Sequence, residues 1–259
     1  MKKELSEVLF TSSLVRDALL LLNEGPKDID SVLTTLKTSR QALYPQIKVL
    51  KEENIINHDD ELCRLTVAGK MIVHEMVPLL YTLELLDDLG EYELDFIPSH
   101  LISRVRELYP CNVVDPSLPE ICEVDKEFHE KSTESKSVIA ITSFMFPNFS
   151  EIIQDYTGKG ITVSVVVSAK LHDKLKCKHY QEYKNLIDNE IVKIYVHDGH
   201  LGLVSFTQND YGFMLRLLSD TVNSHYDYRR IFFQSPASLK WGKDLFEHYK
   251  NESVQVNAV

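Results

Sequence analysis

The chain has no apolar run long enough to span a bilayer; its longest candidates are broken by charges or proline. The N-terminal stretch from Met1 to Phe10 carries lysines but no apolar h-region or small-residue cleavage site, so no secretory signal is expected. Cysteine is sparse: Cys63, Cys111, Cys122 and Cys177 are scattered and form no CxxC pair. That spacing fits a reduced, cytoplasmic protein whose cysteines serve as small buried hydrophobes. A glycine-rich phosphate loop, a GxSxG elbow and an HExxH helix are all missing, so no cofactor and no metal site are implied. Nor is there a surplus of positive charge. A net charge of −11 over 259 residues argues against a protein that coats nucleic acid non-specifically. It leaves room for a sequence-specific reader, whose positive charge need only be local.

Such a local patch runs from Thr38 to Lys51, TSRQALYPQIKVLK, a stretch without a single acidic residue. Thr38 and Ser39 offer hydroxyls suited to capping a helix. Leu43, Ile47 and Leu50 step by four and three, which makes one buried stripe. Arg40, Gln41, Tyr44, Gln46, Lys48 and Lys51 fall largely outside it. With Ser39 they are candidates to reach base edges in a major groove, while Lys37, Lys51 and Arg64 suit phosphates. An ordinary solvated helix face looks similar taken alone; the flanking segments favour the first reading. Pro45 lies inside the pattern, where it removes a backbone donor. Either the helix kinks there, or a short turn ends near Tyr44 and the reading helix starts with Pro45 in its first turn.

Upstream, Ser12 or Ser13 can cap a helix that buries Leu14, Val15, Ala18, Leu19 and Leu22, and Gly25-Pro26 stops it. Asp28 can cap the next, with Ile29, Val32, Leu33 and Leu36 inward. Two short helices joined this tightly read as helix-turn-helix. Downstream, Ile55-Ile56 opens a strand, Asp59 and Asp60 suit a turn, and Leu62 to Leu65 alternate as a second strand. This is a wing with an acidic tip, His58 to Glu61, which either adds little affinity or faces away from DNA. Residues 1–75 hold ten Lys or Arg against twelve Asp or Glu. Any DNA binding should therefore be weak for a monomer and depend on dimerisation. Leu65 to Lys70, LTVAGK, leads into a long helix whose Ile72, Met76, Leu79, Leu83 and Leu86 form a two-heptad seam. The seam pairs with its twin in a dimer or packs on a second domain, and Pro78 kinks or restarts the helix.

Residues 90–136 are a transition, cut by Pro110, Pro116 and Pro119. From Ser137 the period changes. Val138 to Ile141 and Ile161 to Val167 read as strands buried on both faces, and Ile191 to Val196 as a third. Helices over 147–156 and 169–189 separate them, so the order implies parallel strands with helical crossovers. Leu201 to Phe206 and Phe213 to Leu218 read as paired strands, and Ser235 can cap a last helix through Trp241 and Tyr249. The expected architecture is α+β or α/β in two domains. It comprises a winged helix-turn-helix over 1–68, a linker or dimerisation helix over 69–90, and a C-terminal sensing or dimerising α/β domain with a mixed, mostly parallel sheet over 91–259. Ligands in open α/β sheets sit at the carboxyl ends of parallel strands. Phe144 and Phe146 lie there, and with Tyr211, Arg216 and Tyr226 from the later hairpin they make a candidate ligand-binding set. The alternative is that Phe144, Phe146 and Phe149 only pack under the loop. His172-Asp173-Lys174 fits the H-x-K half of a phospholipase-D-type motif, but His179 stands where the aspartate is due, and no catalytic residue is expected.

The whole chain resembles archaeal winged helix-turn-helix regulators of the methanogenesis-regulatory, or filament-regulator (FilR1), type. The N-terminal likeness rests on TSRQALYPQIKVLKEENII (Thr38 to Ile56), including Pro45, and on LTVAGK. The C-terminal likeness rests on YELDFIP (Tyr92 to Pro98), GITVSVVV (Gly160 to Val167) and YDYRRIFFQSPASLKWGKDLFEHY (Tyr226 to Tyr249). Ser205-Phe206-Thr207 departs from it, since an acidic residue is expected there in relatives. The resemblance implies a transcription regulator with double-stranded DNA as partner, a homodimer, an unidentified small-molecule effector and no membrane. Two readings compete: a winged helix that binds protein, motivated by the acidic tip and the net charge, and a phosphodiesterase-like enzyme built on the H-x-K remnant.

Overall fold

The computed structural model describes residues 5–59, 62–90, 92–117, 123–219 and 228–258. Asp60 and Glu61 of the expected turn, Pro119, Cys122 and Tyr226 lie outside these residues. The chain divides into two compact units, residues 1–81 and 82–259. Among the described residues, no helix is long and apolar enough to cross a membrane.

The first unit begins with α1 (Leu5–Thr11) and α2 (Ser13–Asn23), followed by a short strand β1 (Lys27–Asp28) and α3 (Ile29–Thr35). Ser12 takes the N-cap position of α2, but its hydroxyl makes no capping bond. Asp28 does cap α3, its Oδ1 accepting from the Ser31 amide at 2.8 Å. The next helix, α4 (Arg40–Glu52), is continuous, and Ser39 Oγ caps it by accepting from the Ala42 amide at 3.3 Å. Pro45 is therefore internal, and a restart at Pro45 is excluded. The proline ring is exposed, so its missing donor falls on the solvent side, where water can serve the Gln41 carbonyl. Leu43, Ile47 and Leu50 are buried with Val15, Leu19 and Val32. Each such side chain contributes about 1.5–3 kcal/mol through burial.

Strands β2 (Ile56–Asp59) and β3 (Leu62–Leu65) form an antiparallel hairpin, with Ile56 opposite Leu65 and His58 opposite Cys63. β1 lies on the other edge of β3. Cys63 and Leu65 face inward while Leu62 and Arg64 face water, as period-two alternation requires. The helix α5 (Val67–Leu89) then runs unbroken through Pro78. Thr66 Oγ1 donates to the Asn54 carbonyl at 2.7 Å and accepts from the Gly69 amide at 3.0 Å, locking the start of α5 to the hairpin. Gly69 is what permits this approach: a Cβ there would lie 2.2 Å from the Ile55 carbonyl oxygen. Along α5 the expected seam is divided. Met76 is buried, whereas Leu79, Leu83 and Leu86 are 43%, 48% and 42% exposed.

The second unit is built on an eight-stranded sheet, in the order β11-β7-β6-β5-β8-β9-β10-β4. Its strands are β4 (Asn112–Val114), β5 (Ser137–Thr142), β6 (Thr162–Ser168), β7 (Val192–His197), β8 (Ser205–Gln208), β9 (Phe213–Arg216), β10 (Arg230–Phe233) and β11 (Val254–Gln255). β5, β6 and β7 run parallel, as the crossover order implies. The remaining pairings are antiparallel, so the sheet is mixed and mostly antiparallel rather than mostly parallel. Helices α7 (Lys126–Thr133), α8 (Phe149–Gly158), α9 (Ala169–Lys178) and α10 (Tyr180–Ile187) belong to this unit, and α6 (Ser99–Ile102) leads into a 3-10 turn over Val105–Leu108. The single helix expected over 169–189 is two helices, because His179 leaves helical geometry at φ −134°. The last helix, α11 (Pro236–Asn251), covers one sheet face with Trp241, Leu245 and Phe246, and Ser235 caps it. Cys177 is exposed, contrary to the expectation that the cysteines are buried, while Cys63 is buried. Cys111 is half-buried beside Asp88, and burial followed by that carboxylate pushes its thiol up to about 12.

Replacing a helical glycine by alanine ordinarily gains about 1 kcal/mol. At Gly69 the added methyl meets a backbone carbonyl, so Gly69→Ala is expected to destabilise the N-terminal unit by about 1–3 kcal/mol. Urea unfolding followed by circular dichroism reads the sign directly; a stabilised variant would contradict the close approach.

Candidate nucleic-acid interface and ligand cavity

Helical spacing decides which α4 side chains act together. At 3.6 residues per turn, Arg40, Lys51, Tyr44, Lys48 and Gln41 fall within one arc of about 100°. All five are exposed. Gln46 does not join them; it is half-buried on the opposite flank of the Leu43-Ile47-Leu50 stripe. Ser39 stands at the helix start with its hydroxyl already committed to the cap. Lys37 is exposed in the turn before α4, where its backbone takes the left-handed region at φ 49°.

The basic side chains are largely engaged within the unit. The Arg40 guanidinium is paired with the Asp30 carboxylate of α3, and this pairing raises the Arg40 pKa above its ordinary value. Lys48 Nζ lies 3.9 Å from Glu52, one helical turn on. Arg64 pairs with Asp59 across the hairpin at 3.2 Å. Lys51 Nζ donates to the His58 carbonyl at 3.2 Å, tying α4 to the hairpin. The Lys48–Glu52 pair is readable from i,i+4 spacing. The Arg40–Asp30 pair spans ten residues and two helices, and only the fold reveals it. Exposed pairs of this kind are worth little and exchange readily, so each cation remains able to meet a phosphate.

In the second unit the candidate ligand set is split. Phe144 and Phe146 stack edge to face at 5.2 Å, beyond the end of β5. Arg216 joins them, its Cζ 4.9 Å from the centre of the Phe146 ring. Tyr211 does not: it sits in the β8–β9 turn, at the other end of β9 from Arg216, with Lys131 Nζ 5.2 Å from its ring centre. Phe149 is buried and Phe144 exposed, so the packing alternative accounts for Phe149 but not for Phe144. Between the sheet and α8 is a cavity of about 130 Å³, lined by Phe144, Phe146, Phe149 and Arg216 among others.

The H-x-K remnant lies on α9. His172 Nδ1 is 2.7 Å from the Tyr183 hydroxyl, whose partner role depends on the imidazole tautomer. Burial first, and then the nearby Lys176, lower the His172 pKa. The histidine thus joins α9 to α10, and no aspartate stands at 179 to orient it as a phosphoryl acceptor.

Comparison with known proteins finds the pattern described as methanogenesis regulatory protein FilR1, N-terminal domain, over residues 3–84, and that of the middle domain of the same protein over residues 121–252. No curated protein matches the sequence. Among solved structures, similarity extends to TrmBL2, described as an archaeal chromatin protein with a novel mode of DNA binding. It is 13% identical over 95% of this chain and 94% of that one, with a TM-score of 0.43. A phospholipase D family member, Nuc from Salmonella typhimurium, is 10% identical over 57% and 99% of the two chains, with a TM-score of 0.41. Phosphatidylserine synthase from Haemophilus influenzae Rd KW20 is 9% identical over 51% and 36%, with a TM-score of 0.37.

His172 gives the C-terminal unit a pH dependence of known sign. Its folded pKa lies below the unfolded value of about 6.5. The unfolded chain therefore binds the proton more readily, and the stability linked to this group is full above pH 6.5 and is lost as pH falls toward the folded value. His172→Gln is expected to flatten that part of the acid-side decline, measured by urea unfolding across a pH series. A decline equally steep in the variant would contradict the assignment.

Proposed function

The chain belongs to the family of methanogenesis regulatory protein FilR1, and on that premise we propose that it is a sequence-specific DNA-binding transcription regulator. Its N-terminal unit would be a winged helix-turn-helix that reads double-stranded DNA, and its C-terminal unit would sense a small-molecule effector. The observation that carries the reading is the exposed arc of α4, where Arg40, Gln41, Tyr44, Lys48 and Lys51 share one side of a capped helix that has no acidic residue before Glu52. The element order supports it: α2, β1, α3 and α4 precede the β2–β3 hairpin, and β1 closes a three-stranded sheet. In such a unit α4 lies in the major groove, with Arg40, Gln41 and Tyr44 nearest the bases because the N-terminal end of a recognition helix leads. Lys37, Lys48, Lys51 and Arg64 then contact phosphates, and Ser39 and Gln46 are left as supports at the margins.

A dimer fits both the charge and the surface. With ten basic against twelve acidic residues over 1–75, one copy lacks the charge to hold a duplex tightly. The exposed Leu79, Leu83 and Leu86 of α5 are a stripe that a second copy would cover. The same neutralised surface favours one competing reading, in which the unit binds a protein instead. Asp30, Glu52 and Asp59 beside the three cations are what motivate it.

Fluorescence anisotropy on a duplex from upstream of the protein's own coding sequence separates the two. Arg40→Ala with Lys48→Ala is expected to weaken specific binding by about ten- to a hundredfold. Asp30→Asn, which removes the competitor for Arg40, is expected to tighten binding by up to about fivefold at low salt. Equal affinity in all three proteins would exclude α4 as the reading helix.

A further inference from the structure

Helix α9 carries positive charge that its own unit does not use. Its ten residues hold four lysines and one carboxylate, Asp173. Lys170, Lys174 and Lys178 follow at steps of four, so they share an arc of about 80° and stand about 6 Å apart along the axis. All three are exposed. Among the described residues none of the three forms an ion pair: Asp173 is not paired with them, and Glu182 of α10 is taken by His179 at 3.0 Å. Local helix physics gives no reason for the row. Like charges four residues apart on a helix repel. Lys178 in the last turn suits the helix dipole, but Lys170 in the first turn opposes it. The fold does not depend on the row either. Leu171 and Leu175 supply the burial that holds α9 in place, and Ser168 Oγ caps the helix by accepting from the Leu171 amide at 3.3 Å.

We propose that Lys170, Lys174 and Lys178 form a second contact with duplex DNA, made to phosphates and independent of sequence. The inference rests on the DNA-binding reading above and supplies what that reading needs. Ten basic against twelve acidic residues over 1–75 leave the N-terminal unit no surplus of positive charge. A duplex carries one negative charge per about 1.7 Å of its axis, so a row about 12 Å long can meet three phosphates. A lysine ammonium is a point charge on a flexible stem, which meets phosphates without demanding a fixed geometry. α9 holds no arginine, asparagine or glutamine that could read a base edge by two bonds. The contact therefore adds affinity and leaves the choice of sequence to α4.

Fluorescence anisotropy of the full chain over a salt series, on the upstream duplex and on a scrambled duplex of equal length, tests this. Lys170→Gln with Lys174→Gln and Lys178→Gln is expected to weaken binding to both duplexes by the same factor, about tenfold or more at low salt. The slope of log K against log salt is expected to fall by about two to three. Lys170→Arg with Lys174→Arg and Lys178→Arg keeps the charge and is expected to keep the wild-type slope. If the triple glutamine variant fails to fold, Lys174→Gln alone serves, with a slope lower by about one. An unchanged slope in a folded glutamine variant, an equal loss in the arginine variant, an altered preference between the duplexes, or no binding of either duplex would each overturn the proposal. The two readings also fail separately. Wild-type binding without preference, with a slope that falls in the glutamine variant, would count against the regulator reading and leave the α9 contact standing. A preference for the upstream duplex with an unchanged slope would do the reverse.

Discussion

Burial of Leu43, Ile47 and Leu50 is the constraint from which the N-terminal unit follows. Those three side chains are inaccessible or nearly so, packed with residues of α2 and α3. Once they are inside, the helix has no freedom of rotation, and Arg40, Gln41, Tyr44, Lys48 and Lys51 must face out together. The caps at Asp28 and Ser39 fix where α3 and α4 begin, and the tight turn through Lys37 fixes their separation. The closeness of the two helices has a second consequence: it brings Asp30 to Arg40. The exposed side of α4 is thereby held close to neutral. The net charge of −11 over the whole chain likewise opposes indiscriminate contact with nucleic acid.

The C-terminal unit obeys a different rule. β5 and β6 are covered on both faces, by α11 on one and by α8 on the other, so their residues are mostly apolar on both sides. Packing is close on the α11 face: a Cβ on Gly242 would lie 2.4 Å from Gln208 Oε1. The α8 face is less completely filled, and the cavity lies there. Buried polar groups on this side are tied down. Arg230 pairs with Asp125 at 3.1 Å, and Asp125 also caps α7 by accepting from the Phe128 amide.

Much of this was legible in the amino-acid order, and the exceptions have physical reasons. The parallel strands β5 and β6 are readable because β-branched residues dominate them, and α4 because its buried stripe keeps helical spacing. β4 and β11 are not legible in the sequence, because edge strands of two or three residues carry no periodic signal. β10 lies in a mixed charged and aromatic run, and its place beside β9 follows only from tertiary pairing. The mostly parallel sheet was an over-extension of the β-α-β-α-β order to strands that pair by hairpins. Pro45 suggested a helix start, yet capping by Ser39 and the solvent position of the ring let one helix pass through it. On α4, helical spacing alone sets which side chains share the exposed arc, and it leaves Gln46 outside. Tyr211 and Arg216 were grouped as hairpin neighbours, but a strand of four residues places them at opposite ends. Thr142 and Ser205 stand level with Arg216 only through strand register, which no local pattern shows.

In the proposed reading the α4 arc meets phosphates and bases. The salt dependence of duplex binding by the wild-type chain tests it most directly, because every phosphate neutralised releases counterions. The expected result is an affinity that falls steeply and linearly in a plot of log K against log salt, with a preference for one sequence over a scrambled duplex. Binding that is flat with salt, or absent at low salt from a confirmed dimer, would contradict it.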